Sequence, residues 1–189
     1  MEAIKKMMSL IQNLDNSILL YIENNMHGHI MDRTMVIITS LGNWEIIWII
    51  ISILLMINKK YRNIGFMTLG ALLLSTMLGD GILKHIVQRA RPSADIPAVN
   101  LLISKPLSYS FPSGHAASSF AAAGVLAKYF KNYTLEIFTL AFLIAFSRLY
   151  LYVHYPTDVL AGIILGLICS RIIIYMFNRV NQEDIIISV

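Results

Sequence analysis

Apolar residues run through this 189-residue chain in long blocks broken by short polar punctuation. Blocks at about 34–57, 64–84, 115–130, 134–150 and 156–177 predict five membrane-spanning helices, near the roughly 20 residues apiece that a bilayer core requires. The polar breaks are "NKKYRN" at 58–63, the turn from Lys128 to Lys131, and a long loop from Arg89 to Ser113. Ahead of the first block the pattern changes. Ile11, Leu14, Ile18, Leu19 and Ile22 recur at helical spacing, with Gln12, Asn13, Asp15 and Asn16 largely on the other side. That pattern predicts an amphipathic helix lying at the membrane surface, a short sixth span being the alternative. Asp15 and Glu23 interrupt the segment and no small-residue cleavage site follows it, so it is expected to be retained rather than removed as a signal.

Composition agrees with the pattern. Hydrophobic residues make up 57% and charged residues 14%, against about one quarter charged in soluble domains, so the chain reads as an all-α polytopic membrane bundle. One domain over 1–189 is expected: an interfacial segment at 1–33, the bundle at 34–177 and a cytoplasmic tail at 178–189. The single cysteine, Cys169, rules out an intramolecular disulfide and reads as helix packing. Small residues in the third block (Ala116, Ala117, Ala121 to Ala123, Gly124) and Gly162 with Gly166 in the fifth predict close helix approach.

Charge then orients the bundle. "NKKYRN", Lys128, Lys131, Arg171 and Arg179 fall on one side, which the positive-inside rule makes cytoplasmic. The opposite loop carries Arg89, Arg91 and Lys105, and the bias becomes clean if those cations serve chemistry. Counting spans puts the end of the second helix, the start of the third, the end of the fourth and the start of the fifth on one outer face. Those four ends hold the unusual residues: Lys84 and Arg91 in "KHIVQRARP", Ser113, Gly114 and His115 in "PSGH", Ser147 and Arg148, then His154 and Asp158. Ionisable groups at that depth are costly and mark a functional site.

Lys84-x6-Arg91-Pro92, Pro112-Ser113-Gly114-His115 and Ser147-Arg148-x5-His154-x3-Asp158 together resemble the three-part signature of the type 2 phosphatidic acid phosphatase family, which is related to vanadium haloperoxidases. The resemblance spans about 75 residues, from Lys84 to Asp158, with no departure at a signature position. Taken singly, each residue has an ordinary account: Lys84 could snorkel, the arginines could anchor at an interface, and "PSG" could simply start a helix. Three motifs in order on one face carry the functional reading.

The residue types fit phosphate chemistry. Lys84, Arg91 and Arg148 can offset the roughly 1.5 to 2 negative charges of a phosphate monoester, and the arginine fork suits phosphate oxygens. Ser113 stands where a helix N-cap would, so the following amides point at the same anion. Asp158, four residues after His154, can hold one ring nitrogen while the other attacks phosphorus. The resemblance implies a phosphohistidine intermediate at His154, with His115 protonating the leaving oxygen and later activating water. Two histidines in opposite protonation states predict a bell-shaped pH profile. Three cations oppose a divalent ion, so neither metal nor cofactor is expected.

The expected partners are a membrane lipid substrate and the bilayer, with no nucleic acid; nothing in the residues specifies an oligomeric state. Among substrates the resemblance offers undecaprenyl diphosphate and phosphatidylglycerophosphate first, phosphatidate and lipid A phosphates behind them, and an outward site favours undecaprenyl diphosphate. A lipid transporter or a haloperoxidase could use a similar cradle. Against the first stands the lack of polar groups in the middle helices, and against the second the missing soluble scaffold. Glu45, Asp80 and Arg89 are left without an assigned role. His27, His29 and His85 read as interfacial, and Tyr150, Tyr152 and Tyr155 as an aromatic belt.

Overall fold

The structure is a computed structural model that describes residues 2–95 and 101–187. Among these residues the chain is all-helical and forms eight α-helices in order: α1 (Glu2–Met26), α2 (His29–Gly42), α3 (Ile46–Ile57), α4 (Arg62–Thr76), α5 (Lys84–Val87), α6 (Gly114–Tyr129), α7 (Thr134–Tyr150) and α8 (Pro156–Ile187). Several join end to end. The segments long and apolar enough to cross a membrane are His29–Ile57, Arg62–Val87, Lys131–Tyr150 and Pro156–Arg179, which makes this a multi-pass membrane protein.

The third expected span, 115–130, forms as α6 but is only 16 residues long, about 24 Å at 1.5 Å per residue. Its position explains its composition. Ala116, Ala117, Ala121, Ala122, Ala123 and Val125 are fully buried, because α4, α7 and α8 enclose α6. The closest partner is α8. A Cβ on Gly162 would lie 2.6 Å from the Ser113 carbonyl oxygen, and one on Gly166 would lie 2.7 Å from the Ala121 amide nitrogen. Only glycine allows this approach, so the small-residue pattern reports a real helix contact. Trp48 of α3 adds a buried hydrogen bond to Ser119 of α6 at 3.0 Å.

Two irregularities were not expected from the sequence. The rod His29–Ile57 breaks at Asn43–Glu45, where Trp44 and Glu45 take left-handed backbone conformations with φ of 53° and 60°. Consecutive left-handed residues with side chains are strained and persist only where their surroundings hold them. The second rod carries a π-helical turn at Met77–Leu83, a feature that recurs at functional sites. Both lie beside the same cavity. At the C-terminus, the segment expected as a tail from 178 continues α8 through Ile187, and residues 188–189 lie outside the described set.

The first helix differs from its simple amphipathic reading. Met7, Ile11, Leu14, Ile18 and Tyr21 form an outward stripe, whereas Leu19 and Ile22 pack inward on the bundle. Asp15 lies on the inward side and is only 1% exposed. A buried carboxylate needs a partner, and that partner is Arg89.

Candidate active site

All the residues singled out in the signature converge at one end of the bundle. Lys84, Arg91, Gly114, His115, Arg148 and His154 line a single cavity of about 450 Å³, with Asp80, Glu45 and Ser108 on its walls. Ser113 and Asp158 lie directly behind them, fully buried.

Each helix end positions its side chain by local rules. Ser113 takes an extended backbone ahead of α6, and its Oγ accepts from the Ala116 amide at 3.4 Å, a long N-cap contact. The first turn of α6 therefore opens at the cavity. Gly42 lets the His115 ring sit against α2, since a Cβ there would lie 2.7 Å from the ring. His115 Nε2 is 3.1 Å from Asn43 Oδ1, so the kink supplies the histidine's partner. After α7 the left-handed Tyr152 turns the chain back, and the Arg148 carbonyl accepts from the amides of Val153 (3.2 Å) and His154 (3.3 Å). Pro156 then starts α8, and Asp158 Oδ2, on the third helical residue, accepts from the Tyr155 amide at 2.8 Å as in a capping box.

Arg91 departs from the expectation of a free phosphate fork. Its Nε donates to the Ser108 carbonyl at 2.7 Å, and its Nη2 donates to Ser108 Oγ (3.0 Å) and the Tyr109 carbonyl (3.1 Å). Its Nη1 donates to the Val153 carbonyl at 2.8 Å and lies 3.0 Å from His154 Nε2. All five guanidinium donors are engaged, so Arg91 ties the Ser108–Tyr109 loop to His154. Burial pushes it down to about 10, which leaves it charged near neutral pH. Arg148 is different: its Nη1 donates to Thr39 Oγ1 at 2.5 Å, but its Nε has no partner among the described residues.

His154 is 2% exposed. Because guanidinium can only donate, Arg91 requires an acceptor lone pair at Nε2, which places the ring proton on Nδ1. Nδ1 lies 3.7 Å from Asp158 Oδ2, too far for a hydrogen bond and near enough for charge attraction. Burial pushes the imidazole down to about 3, with Asp158 opposing that shift and Arg91 and Arg148 reinforcing it. His154 is thus neutral near pH 7, and its Nε2 lone pair points at Arg91 on the cavity wall. Asp158 in turn accepts from Arg89, Ser110 and the Tyr155 amide.

Two acids left without a role at the sequence level now have places. Glu45 Oε1 accepts from Thr76 Oγ1 at 2.6 Å on the cavity wall. Asp80 lies 2.7 Å from Lys84 Nζ, and a Cβ on Gly114 would lie 3.2 Å from its Oδ1. The Asp80 carboxylate therefore sits over the start of α6, where an anion is favoured. Its side chain is 45% exposed and held by the ion pair with Lys84. Replacing it (Asp80→Asn) is expected to tighten inhibition by inorganic phosphate about fivefold, since a like charge in a partly screened site opposes the anion by on the order of 1 kcal/mol. Unchanged or weaker inhibition would mean that Asp80 serves only to orient Lys84. Ser108, Ser110, Thr39 and Asn43 carried no sequence signal, because each acts through a contact distant along the chain.

Among the described residues, no three His, Cys, Asp or Glu side chains converge as a metal-ligand set. The donor set is cationic, suited to an anion.

The PAP2 superfamily profile matches residues 65–182. The chain is 36% identical over 138 residues to an undecaprenyl-diphosphatase of Sulfolobus acidocaldarius, covering 72% of this chain and 66% of that protein. Its fold matches that of LpxE from Aquifex aeolicus with a TM-score of 0.74 at 32% identity, covering 86% of this chain and 95% of the other. It also matches a phosphatidylglycerolphosphate phosphatase of Bacillus subtilis with a TM-score of 0.74 at 26% identity, covering 90% and 87%. With a cation-lined cavity at its helix ends and these relatives, the chain belongs to the PAP2 superfamily and is a membrane phosphatase, a hydrolase of phosphate esters.

Proposed function

We propose that this chain removes phosphate from a lipid phosphate or diphosphate at the extracytoplasmic face, without a metal, through a phosphohistidine on His154. One observation carries the reading: the cations Lys84, Arg91 and Arg148, the start of α6, and both His115 and His154 line one cavity, with Asp158 behind His154.

In this reading Lys84, Arg148 and the first amides of α6 hold the phosphate oxygens. Arg91 exchanges its contact with His154 for a phosphate oxygen, which frees the Nε2 lone pair. Nε2 bonds to phosphorus as the bond from phosphorus to the leaving oxygen breaks, and His115 supplies that oxygen's proton. His115 then takes a proton from water as the water oxygen attacks phosphorus and the P–N bond breaks. Asp158 offsets the charge gathered on the imidazole. Most of the barrier reduction comes from fixed cations around the equatorial oxygens.

Topology supports the outer placement. With α6 as a fifth, central crossing, the turns at 58–61 and 130–133 share the end opposite the cavity, and they carry Lys59, Lys60 and Lys131. Helix α1 then lies on the outer surface, with its stripe from Met7 to Tyr21 against lipid. A lipid substrate is supported by the cavity's rim, where Trp44 is 88% and Leu73 66% exposed on the apolar flank of the bundle. An acyl or prenyl tail leaving there stays in the leaflet. The relatives point to undecaprenyl diphosphate and phosphatidylglycerophosphate as the first substrates to try.

The test is phosphate release in EDTA by the detergent-purified protein from those two lipids and from a soluble aryl phosphate. Release from at least one lipid, at least about tenfold more efficient in kcat/KM than from the soluble ester, is expected, because remote binding energy is spent at the reacting centre. Equal turnover of the soluble ester would remove the lipid assignment. Loss of activity in EDTA with recovery on adding Mg²⁺ or Zn²⁺ would remove the metal-independent one.

A further inference from the structure

Arg89 is two residues from Arg91 but turns away from the phosphate cavity, because Gln88 ends α5 in a left-handed conformation with φ of 49°. Its Nη1 donates to Thr157 Oγ1 and to Asp158 Oδ1, each at 2.7 Å. Its Nη2 donates to Gln12 Oε1 and Asp15 Oδ2 of α1, each at 2.7 Å. The face of the guanidinium lies 3.9 Å from the centre of the Tyr155 ring. Asp15 also accepts from the Thr157 amide at 3.0 Å and from Thr157 Oγ1 at 2.5 Å. One cation therefore stands between two buried carboxylates, one on α1 and the other beside His154.

This network is not the only anchor of α1. Leu19 and Ile22 already dock it on the bundle, and burying a carboxylate costs several kcal/mol unless it is well paired. Without Asp15, Arg89 would pair with Asp158 alone and draw off the negative charge that His154 needs when its ring becomes cationic. With Asp15 present, the charge of Arg89 is divided and Asp158 keeps a net negative field at Nδ1.

We infer that Asp15 of the N-terminal helix is a positioning residue for phosphoryl transfer: by sharing Arg89 with Asp158 it keeps that carboxylate oriented and charged behind His154. The inference rests on the assignment of His154 as nucleophile. It makes α1 part of the catalytic apparatus, although its charged contact lies 74 residues from Arg89 in sequence.

The experiment uses the full chain and two inhibitors of phosphate release. With His154 as nucleophile, orthovanadate would take the ring nitrogen as a fifth ligand and load positive charge on the ring, as the transition state does, whereas inorganic phosphate would fill only the cradle. For Asp15→Asn, kcat is expected to fall about tenfold with KM within about twofold, the pattern of a contribution made only in the transition state. The vanadate inhibition constant should rise about tenfold and that of phosphate stay within about twofold. Asp15→Glu should recover much of the loss. Arg89→Lys keeps the charge but cannot fork to both carboxylates, and should show the same split even if Asp15→Asn does not yield folded protein. Wild-type kcat and vanadate binding in both variants would overturn the inference. So would equal weakening of vanadate and phosphate with a lower melting temperature, which marks α1 as a strut only. Retained activity in His154→Ala is a separate outcome that overturns the nucleophile assignment instead.

Discussion

His154→Ala is expected to lower phosphate release by at least about a thousandfold, the scale on which removing a nucleophile or its base acts in a concerted site. The expectation follows from position and charge. His154 Nε2 faces the cavity with its lone pair against Arg91, and burial keeps the ring neutral. No second nucleophile takes its place, since His115 is held by Asn43 on another wall. The variant leaves the Arg91 Nη1 donor without one acceptor, which costs about 1–3 kcal/mol if water does not enter. A melting curve therefore belongs beside the assay. An intact fold with lost turnover supports the mechanism; turnover above a few per cent of wild type in a folded variant contradicts it. His115→Ala should also be slow, but for another reason, because it removes proton transfer at both steps and retains the nucleophile. The low value of His154 also shapes the pH profile expected from the sequence. Protonation of His154 falls near pH 3, so a loss of activity between pH 5 and 6 would have to come from another group or from the substrate.

The second large effect is expected far from the cavity. In Gly166→Leu the new side chain would enter the backbone of α6 at Ala117, Phe120 and Ala121. Backbone cannot move aside as a flexible side chain does, so α6 and α8 must separate. Overpacking of this kind costs on the order of 3 kcal/mol or more. Separation of these helices also parts Ser113 from Asp158, which are joined by the Ser113 amide to Asp158 carbonyl bond at 3.0 Å. Melting temperature and activity should fall together. Gly28→Ala serves as control, because a Cβ there meets nothing within 4 Å and its backbone is extended; it should match the wild type. Equal stability and activity in Gly166→Leu would refute the role of this contact.

The long apolar blocks were readable as helices because their length and composition leave no soluble alternative, and α7 starts and ends at the expected residues, 134 and 150. The signature residues were readable because fixed spacing within each motif, together with span parity, brings their helix ends together. The kink at Trp44 and Glu45 was not, since neither residue type favours a left-handed backbone. The saturation of Arg91 was hidden for a different reason: its acceptors are carbonyls of Ser108, Tyr109 and Val153, and a carbonyl leaves no mark in the sequence. Asp15 was visible only as a polar position on an amphipathic helix. Its partner, Arg89, is fixed by tertiary docking, which periodicity does not encode. Asp80 has no role legible in the sequence; only the π-helical turn and the nearby start of α6 show why it is there.

The most direct test of the central claim is to trap the covalent intermediate. The His115→Ala protein is mixed with a ³²P-labelled lipid phosphate in EDTA, quenched in alkali and digested, and the label is mapped. Alkali-stable, acid-labile phosphate is expected on the peptide bearing His154, absent when His154 is also replaced. Turnover by the wild type with no label on that peptide at any quench time, or label on another residue, would contradict it.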